Sequence, residues 1–145
     1  MNRHLLDVNV FLALVWPRHA DHAAAHAWFG KSGHQGWASN SLTQLGLLRL
    51  LTNPAVTQGA VSAATALELL AQATRHPGHE FWPLDRELPP GLRASAPRVL
   101  GHRQWADTLL LCHAAEHGGT LVTFDAGIRE LAHRELRKHL LVLKP

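Results

Sequence analysis

"HLLDVNVFLA", His4 to Ala13, sets a short apolar run against a carboxylate and then turns apolar again. Arg3 to Leu6 has the length and composition of a strand. Val8 to Val15 reads as a helix that stops before Pro17. Asp7 falls at the junction, where an unpaired charge between two apolar runs costs several kcal/mol, on a rough transfer scale, unless a cation or a set of donors satisfies it.

A strand that passes directly into a helix is the opening unit of an α/β layer design, and the pattern repeats outward from this stretch. A second helix spans about Asp21 to Phe29 and ends at Gly30, and "GWASN" reads as a second strand. Ser41 is a suitable N-cap for "LTQLGLLRLLT", which Asn53 and Pro54 stop. Ser62 begins an alanine- and leucine-rich helix to about Thr74, and "HEFWPL" is a third strand. "DRELPPGLRASAPRVLGHR" is rich in proline and arginine and reads as a long irregular crossover, a mobile or ligand-facing segment. A helix over Gln104 to His117 closes at Gly118 and Gly119; "TLVTF" is a strand, "AGIRELAH" a short helix and "HLLVL" a terminal strand. The expectation is an α/β fold with a central, mainly parallel five-stranded sheet covered on both faces. In such a sheet the ligand site lies outside the carboxyl ends of the strands.

The chain has 145 residues, 46% apolar and 17% charged, a globular composition expected to form one domain. It lacks an apolar stretch of membrane-spanning length and the charged-then-apolar pattern of a leader, so no membrane association and a cytoplasmic location are expected. The single cysteine, Cys112, cannot form an internal disulfide and reads as a small buried thiol. A formal charge of +3 and a pI near 9.8 favour a polyanionic partner, nucleic acid first.

Three aspartates break the apolar pattern. Asp7 follows "HLL" and Asp125 follows "TLVTF", each at the carboxyl end of a predicted strand. Asp107 shares a helical face with Leu110, Leu111 and Ala114, at the top of a core-facing stripe. Gln44 stands in the same relation to Leu47, Leu48 and Leu51. If these helix ends lie beside the strand ends, the three carboxylates and Gln44 converge. Carboxylates packed together repel one another unless a cation neutralises them. Oxygen ligands without a cysteine pair suit a hard divalent ion, Mg²⁺ or Mn²⁺, better than zinc.

The segments "LLDVNVFLAL", "SLTQLGLLRLLTNPAV", "FWPLD" and "GHRQWADTLLLCHAAEHGGTLVTFD", in that order over nearly the whole chain, resemble the PIN-domain ribonucleases, and particularly the VapC toxins of bacterial toxin–antitoxin pairs. The resemblance implies a single three-layer αβα PIN domain over residues 1–145 and a Mg²⁺-dependent endoribonuclease, with Mn²⁺ as a possible substitute. It also implies inhibition by a VapB-type antitoxin and a homodimer. The family's acids fall on Asp7, Asp107 and Asp125, as catalytic residues and metal ligands. Asn9 and Thr123 match polar positions that border that site. Gln44 stands where many members carry a glutamate, so the site has one charge fewer and a two-metal displacement is less secure than a one-metal mechanism; Glu80 and Asp85, at the third strand's end, are candidates to compensate.

Arg49, Arg86, Arg93, Arg98 and Arg103 are candidates to hold flanking RNA phosphates. Two rival readings stand beside the nuclease. One is a module that binds RNA or antitoxin without cutting, because of Gln44; the other is a phosphatase-like enzyme with an aspartate nucleophile, for which "DVN" lacks the expected second aspartate. His19, His22 and His26 in "HADHAAAH" form either a transition-metal site or, as the pattern favours, a solvated face opposite Trp28 and the alanines. Trp16, Trp28 and Phe29 offer an apolar surface for a partner helix or for the core.

Overall fold

The computed structural model describes residues 2–145. Its strands are β1 (His4–Leu6), β2 (Trp37–Ser39), β3 (His79–Phe81), β4 (Thr120–Thr123) and β5 (Leu140–Val142). They form one sheet in the order β3-β2-β1-β4-β5, and every neighbouring pair is parallel. The helices are α1 (Val8–Val15), α2 (His22–Lys31), α3 (Ser41–Leu51), α4 (Pro54–Thr57), α5 (Ala63–Thr74), α6 (Gly91–Ser95) and α7 (Gln104–Glu116).

Successive strand side chains point to opposite faces, so each central strand feeds two cores. Leu5, Ala38 and Leu121 join the cluster built under α7, with Leu110, Leu111, Ala114 and Trp82. Leu6, Trp37 and Val122 join the other, with Val10, Phe11, Leu47, Leu51 and Ala66 from α1, α3 and α5. These two cores make the three αβα layers. Strands buried on both faces read as continuous apolar runs, which is why "HLL" and "TLVT" lack alternation.

Asp7 ends β1 with extended backbone and caps α1, its carboxylate accepting from the Val8 amide at 2.7 Å. The cap of α3 is Asn40 rather than the expected Ser41: its side chain accepts from the Thr43 amide while the Thr43 hydroxyl accepts from the Asn40 amide. Gly46 lets α3 approach α1, because a methyl group there would stand 2.6 Å from a Val8 methyl. Gly118, at φ +63°, ends α7 in the left-handed region as its sequence predicts.

The stretch between β3 and α7 is less irregular than expected. It contains α6 and a 3-10 turn over Ala96–Arg98. Cys112 is buried as expected, and its sulfur lies close enough to Gly91 that a Cβ there would be 3.2 Å away, which seats α6 against α7. The short helix expected in "AGIRELAH" is a 3-10 helix over Ala126–Glu130.

Candidate active site

Asp7, at the carboxyl end of β1, is 6% exposed. One carboxylate oxygen takes the Val8 amide; the other accepts from the Thr123 hydroxyl at 2.7 Å and faces the Asn9 amide nitrogen at 3.5 Å. Thr123 is the last residue of β4, the strand paired with β1, so the sheet register sets this contact. Its hydroxyl also accepts from the Asn9 side chain at 3.1 Å and from the Asp125 amide at 3.0 Å. Asn9 in turn accepts from the Phe124 amide at 3.1 Å. Asn9 and Thr123 thus lock Asp7 and carry the chain from β4 to Asp125. The Asp125 carboxylate is exposed and accepts from the Gly127 amide at 2.8 Å.

Asp107 enters from the opposite layer, in the first turn of α7 above the buried Leu110, Leu111 and Ala114. Burial, then the charges of Asp7 and Asp125, push its carboxyl from the ordinary 3.8 up to about 6. Asp7 is also pushed up, by burial first and by Asp125 last, against the lowering effect of the Thr123 and Val8 bonds. The three aspartates therefore sense one another at one edge of the sheet. Neither ion pair found among the described residues, Arg3–Glu80 or Arg75–Glu68, involves them.

Among the described residues no three His, Cys, Asp or Glu side chains form a ready-made metal cage. The donor set nonetheless fits a hard ion such as Mg²⁺, which keeps several waters and takes one or two carboxylates together with substrate phosphate oxygens. A cation also relieves the repulsion that raises Asp107.

Gln44 does not hydrogen-bond to any of these aspartates. Its amide donates to the buried Ser39 hydroxyl at 3.0 Å, and Ser39 is bonded at 2.8 Å to His79 Nε2. Glu80 is held by Arg3 at 2.7 Å, and Asp85 lines a separate groove of about 680 Å³ beside Leu109 and His113, so neither supplies the missing charge. Arg49, Arg86, Arg93, Arg98 and Arg103 are all exposed, and Arg98 donates to the Glu130 carbonyl at 3.4 Å. They are spread over α3, the β3–α7 connection and the residue before α7.

The histidines in "HADHAAAH" are neither a metal site nor a merely solvated face. His22 and His26 bond the Ala13 and Leu14 carbonyls at 2.7 and 3.0 Å, and so cover the carboxyl end of α1, where helix carbonyls lack partners. Trp28 and Phe29 are half-buried against the second core, as is Trp16. Sequence reading missed Asn40, whose side chain also reaches His113 on α7 at 3.0 Å and ties α3 to α7. The N-x-x-T spacing of Asn40 and Thr43 was the available signal.

A sequence model of the PIN domain matches residues 4–134. The chain is 43% identical over 128 residues to "Ribonuclease VapC39" of Mycobacterium tuberculosis, covering 88% of this chain and 92% of that one. It is 39% identical over 130 residues to "Ribonuclease VapC38" of the same organism, covering 90% of each. Among solved structures, the "Crystal structure of VapBC2 from Rickettsia felis bound to a DNA fragment from their promoter" shares the fold. Its TM-score is 0.61 at 14% identity, over 98% of this chain and 99% of that chain. The parallel topology agrees with the shared fold, and the chain belongs to the PIN-domain family, among the VapC ribonucleases.

Proposed function

We propose that this protein is a divalent-metal-dependent endoribonuclease, the toxin of a VapBC pair, with Mg²⁺ as its ion and Mn²⁺ as a substitute. The observation that carries the reading is the edge where Asp7, Asp107 and Asp125 meet from two strand ends and the facing helix, with no ion-pair partner among the described residues. Asp7 and Asp107 hold the ion, and Asp125 holds either the ion or its waters. When bound, the ion supplies positive charge at the scissile phosphate and makes water a better nucleophile.

The protein's own share is positional. The Thr123 hydroxyl fixes one oxygen of Asp7 and the Val8 amide the other, so the carboxylate needs little reorganisation when it meets its ligand. Asn9 keeps Thr123 in that orientation. The exposed Arg49, Arg86, Arg93, Arg98 and Arg103 are phosphate contacts for RNA on either side of the cut. A VapB-type antitoxin is the partner that restrains the activity, and the working form is a homodimer.

The test uses purified protein, RNA and Mg²⁺. Cleavage is expected, lost with EDTA and lost in Asp7→Asn. Asparagine caps a helix about as well as aspartate, so this substitution removes the charge while keeping the start of α1. Cutting that survives Asp7→Asn overturns the assignment.

A second reading, a module that binds RNA or antitoxin without cutting, is favoured by Gln44, which is uncharged and tied to Ser39. RNA retained but uncut by the wild type, and cut by Gln44→Glu, selects it.

A further inference from the structure

The chain has five tryptophans. Trp37 and Trp82 are buried, and Trp16 and Trp28 are half-buried in the second core. Trp105 alone of the five is exposed, at 48%. It belongs to neither core cluster and, among the described residues, makes no aromatic or cation–π pair. A large apolar ring left in water is the informative kind of surface residue, because its burial elsewhere stabilises binding.

Its place is specific. Trp105 is the second residue of α7, two before Asp107. The two residues stand about 3 Å apart along the helix axis and about 160° apart around it, on nearly opposite faces of the first turn. Side chains on a helix tilt toward its N-terminus, so a strand crossing the start of α7 meets Asp107 on one side and the indole on the other. The turn that carries Trp105 is also closed: the Gln104 side chain accepts from the Leu100 amide at 2.6 Å and the Gly101 amide at 3.2 Å. Arg103, exposed and close in sequence, adds a cation for a neighbouring phosphate.

An exposed aromatic on an ordered turn, two residues after Arg103 and across the first turn of α7 from Asp107, has the chemistry of a single-strand stacking platform. We propose that Trp105 stacks against an RNA base one or two nucleotides from the scissile phosphate; this inference rests on the ribonuclease reading above. Stacking tolerates every base, so Trp105 contributes affinity and register along the strand rather than base identity.

The experiment uses a single-stranded RNA oligomer with one mapped cut and a set of copies, each with one abasic nucleotide. In Trp105→Ala, KM is expected to rise between about fivefold and 150-fold, by more than kcat falls, with most of the loss recovered in Trp105→Phe. One abasic position near the cut should weaken the wild type and have no further effect in Trp105→Ala, as two changes to one contact should. Binding of the same oligomers to the non-cutting Asp7→Asn protein, with and without Trp105→Ala, should give the same coupled position. Unchanged KM, or abasic effects that simply add to Trp105→Ala, overturn the stacking contact while leaving the nuclease standing. A matching loss of dimer in Trp105→Ala assigns the indole to a protein interface instead. A wild type that neither cuts nor binds RNA overturns both readings.

Discussion

Asp7 serves both the fold and the site, and its two oxygens divide the work: one starts α1 through Val8, the other is aligned by Thr123. Thr123→Val keeps the shape of the side chain and removes a hydroxyl that donates once and accepts twice. Cleavage should fall by at least about tenfold, and urea unfolding should show a loss of about 1–3 kcal/mol, as expected for leaving buried polar groups unmatched. Asp107 carries the opposite sign. Its carboxyl is raised from 3.8 to about 6, so the folded chain holds that proton more tightly than the unfolded chain. The contribution is complete below the lower value and is lost as pH rises through the upper one. Metal-free Asp107→Asn should therefore be more stable than wild type at pH 7.5, by about 1 kcal/mol after solvent screening, and indistinguishable from it near pH 3.5. Equal effects at the two pH values in thermal melts would sink this account.

At the scale of elements, Asn40 joins more than its own helix. Its carbonyl oxygen caps α3 through the Thr43 amide, while its amide nitrogen reaches His113 across the sheet's edge. Asn40→Ala should cost about 1–2 kcal/mol in chemical unfolding, toward the upper end of ordinary cap losses because the tie to α7 goes with it. Elements and acids were legible in the sequence where a local rule governs them. Leu5 and Leu6 announce a strand with two covered faces, and Asp7 and Asp125 mark the carboxyl ends of β1 and β4. Rules that compete locally, or partners far along the chain, hid the rest. Asn40 and Ser41 are both good caps, and a bond to a residue 73 positions away accompanies the choice between them. Prolines marked the β3–α7 connection as irregular, but Pro90 immediately precedes α6 and Pro97 lies in the first turn of a 3-10 helix, positions where a missing N–H is tolerated. The link from Gln44 to Ser39 and His79 spans α3, β2 and β3, so nothing in the helical spacing of Gln44 reveals that its amide is already engaged.

For the whole molecule, the proposed RNA binding rests, at a modest +3 charge, on a few placed cations rather than on a broad field. Each phosphate contact removed from a single strand should flatten the plot of log affinity against log salt by about 0.7. Arg103→Ala in the non-cutting Asp7→Asn background should show that change by fluorescence anisotropy; a parallel line, lower but of equal slope, would show that Arg103 meets no phosphate. The sheet order has a further consequence for the timing of synthesis. Asp7 is bonded to Thr123, 116 residues later, on a strand inserted between β1 and β5. At about 5–20 residues per second, roughly 6–23 s separate the first acid from the hydroxyl that aligns it. A ribosome making this protein thus carries an Asp7 without its aligning hydroxyl until the last sixth of the chain is being added, and the edge is assembled only when β4 slides into place beside β1.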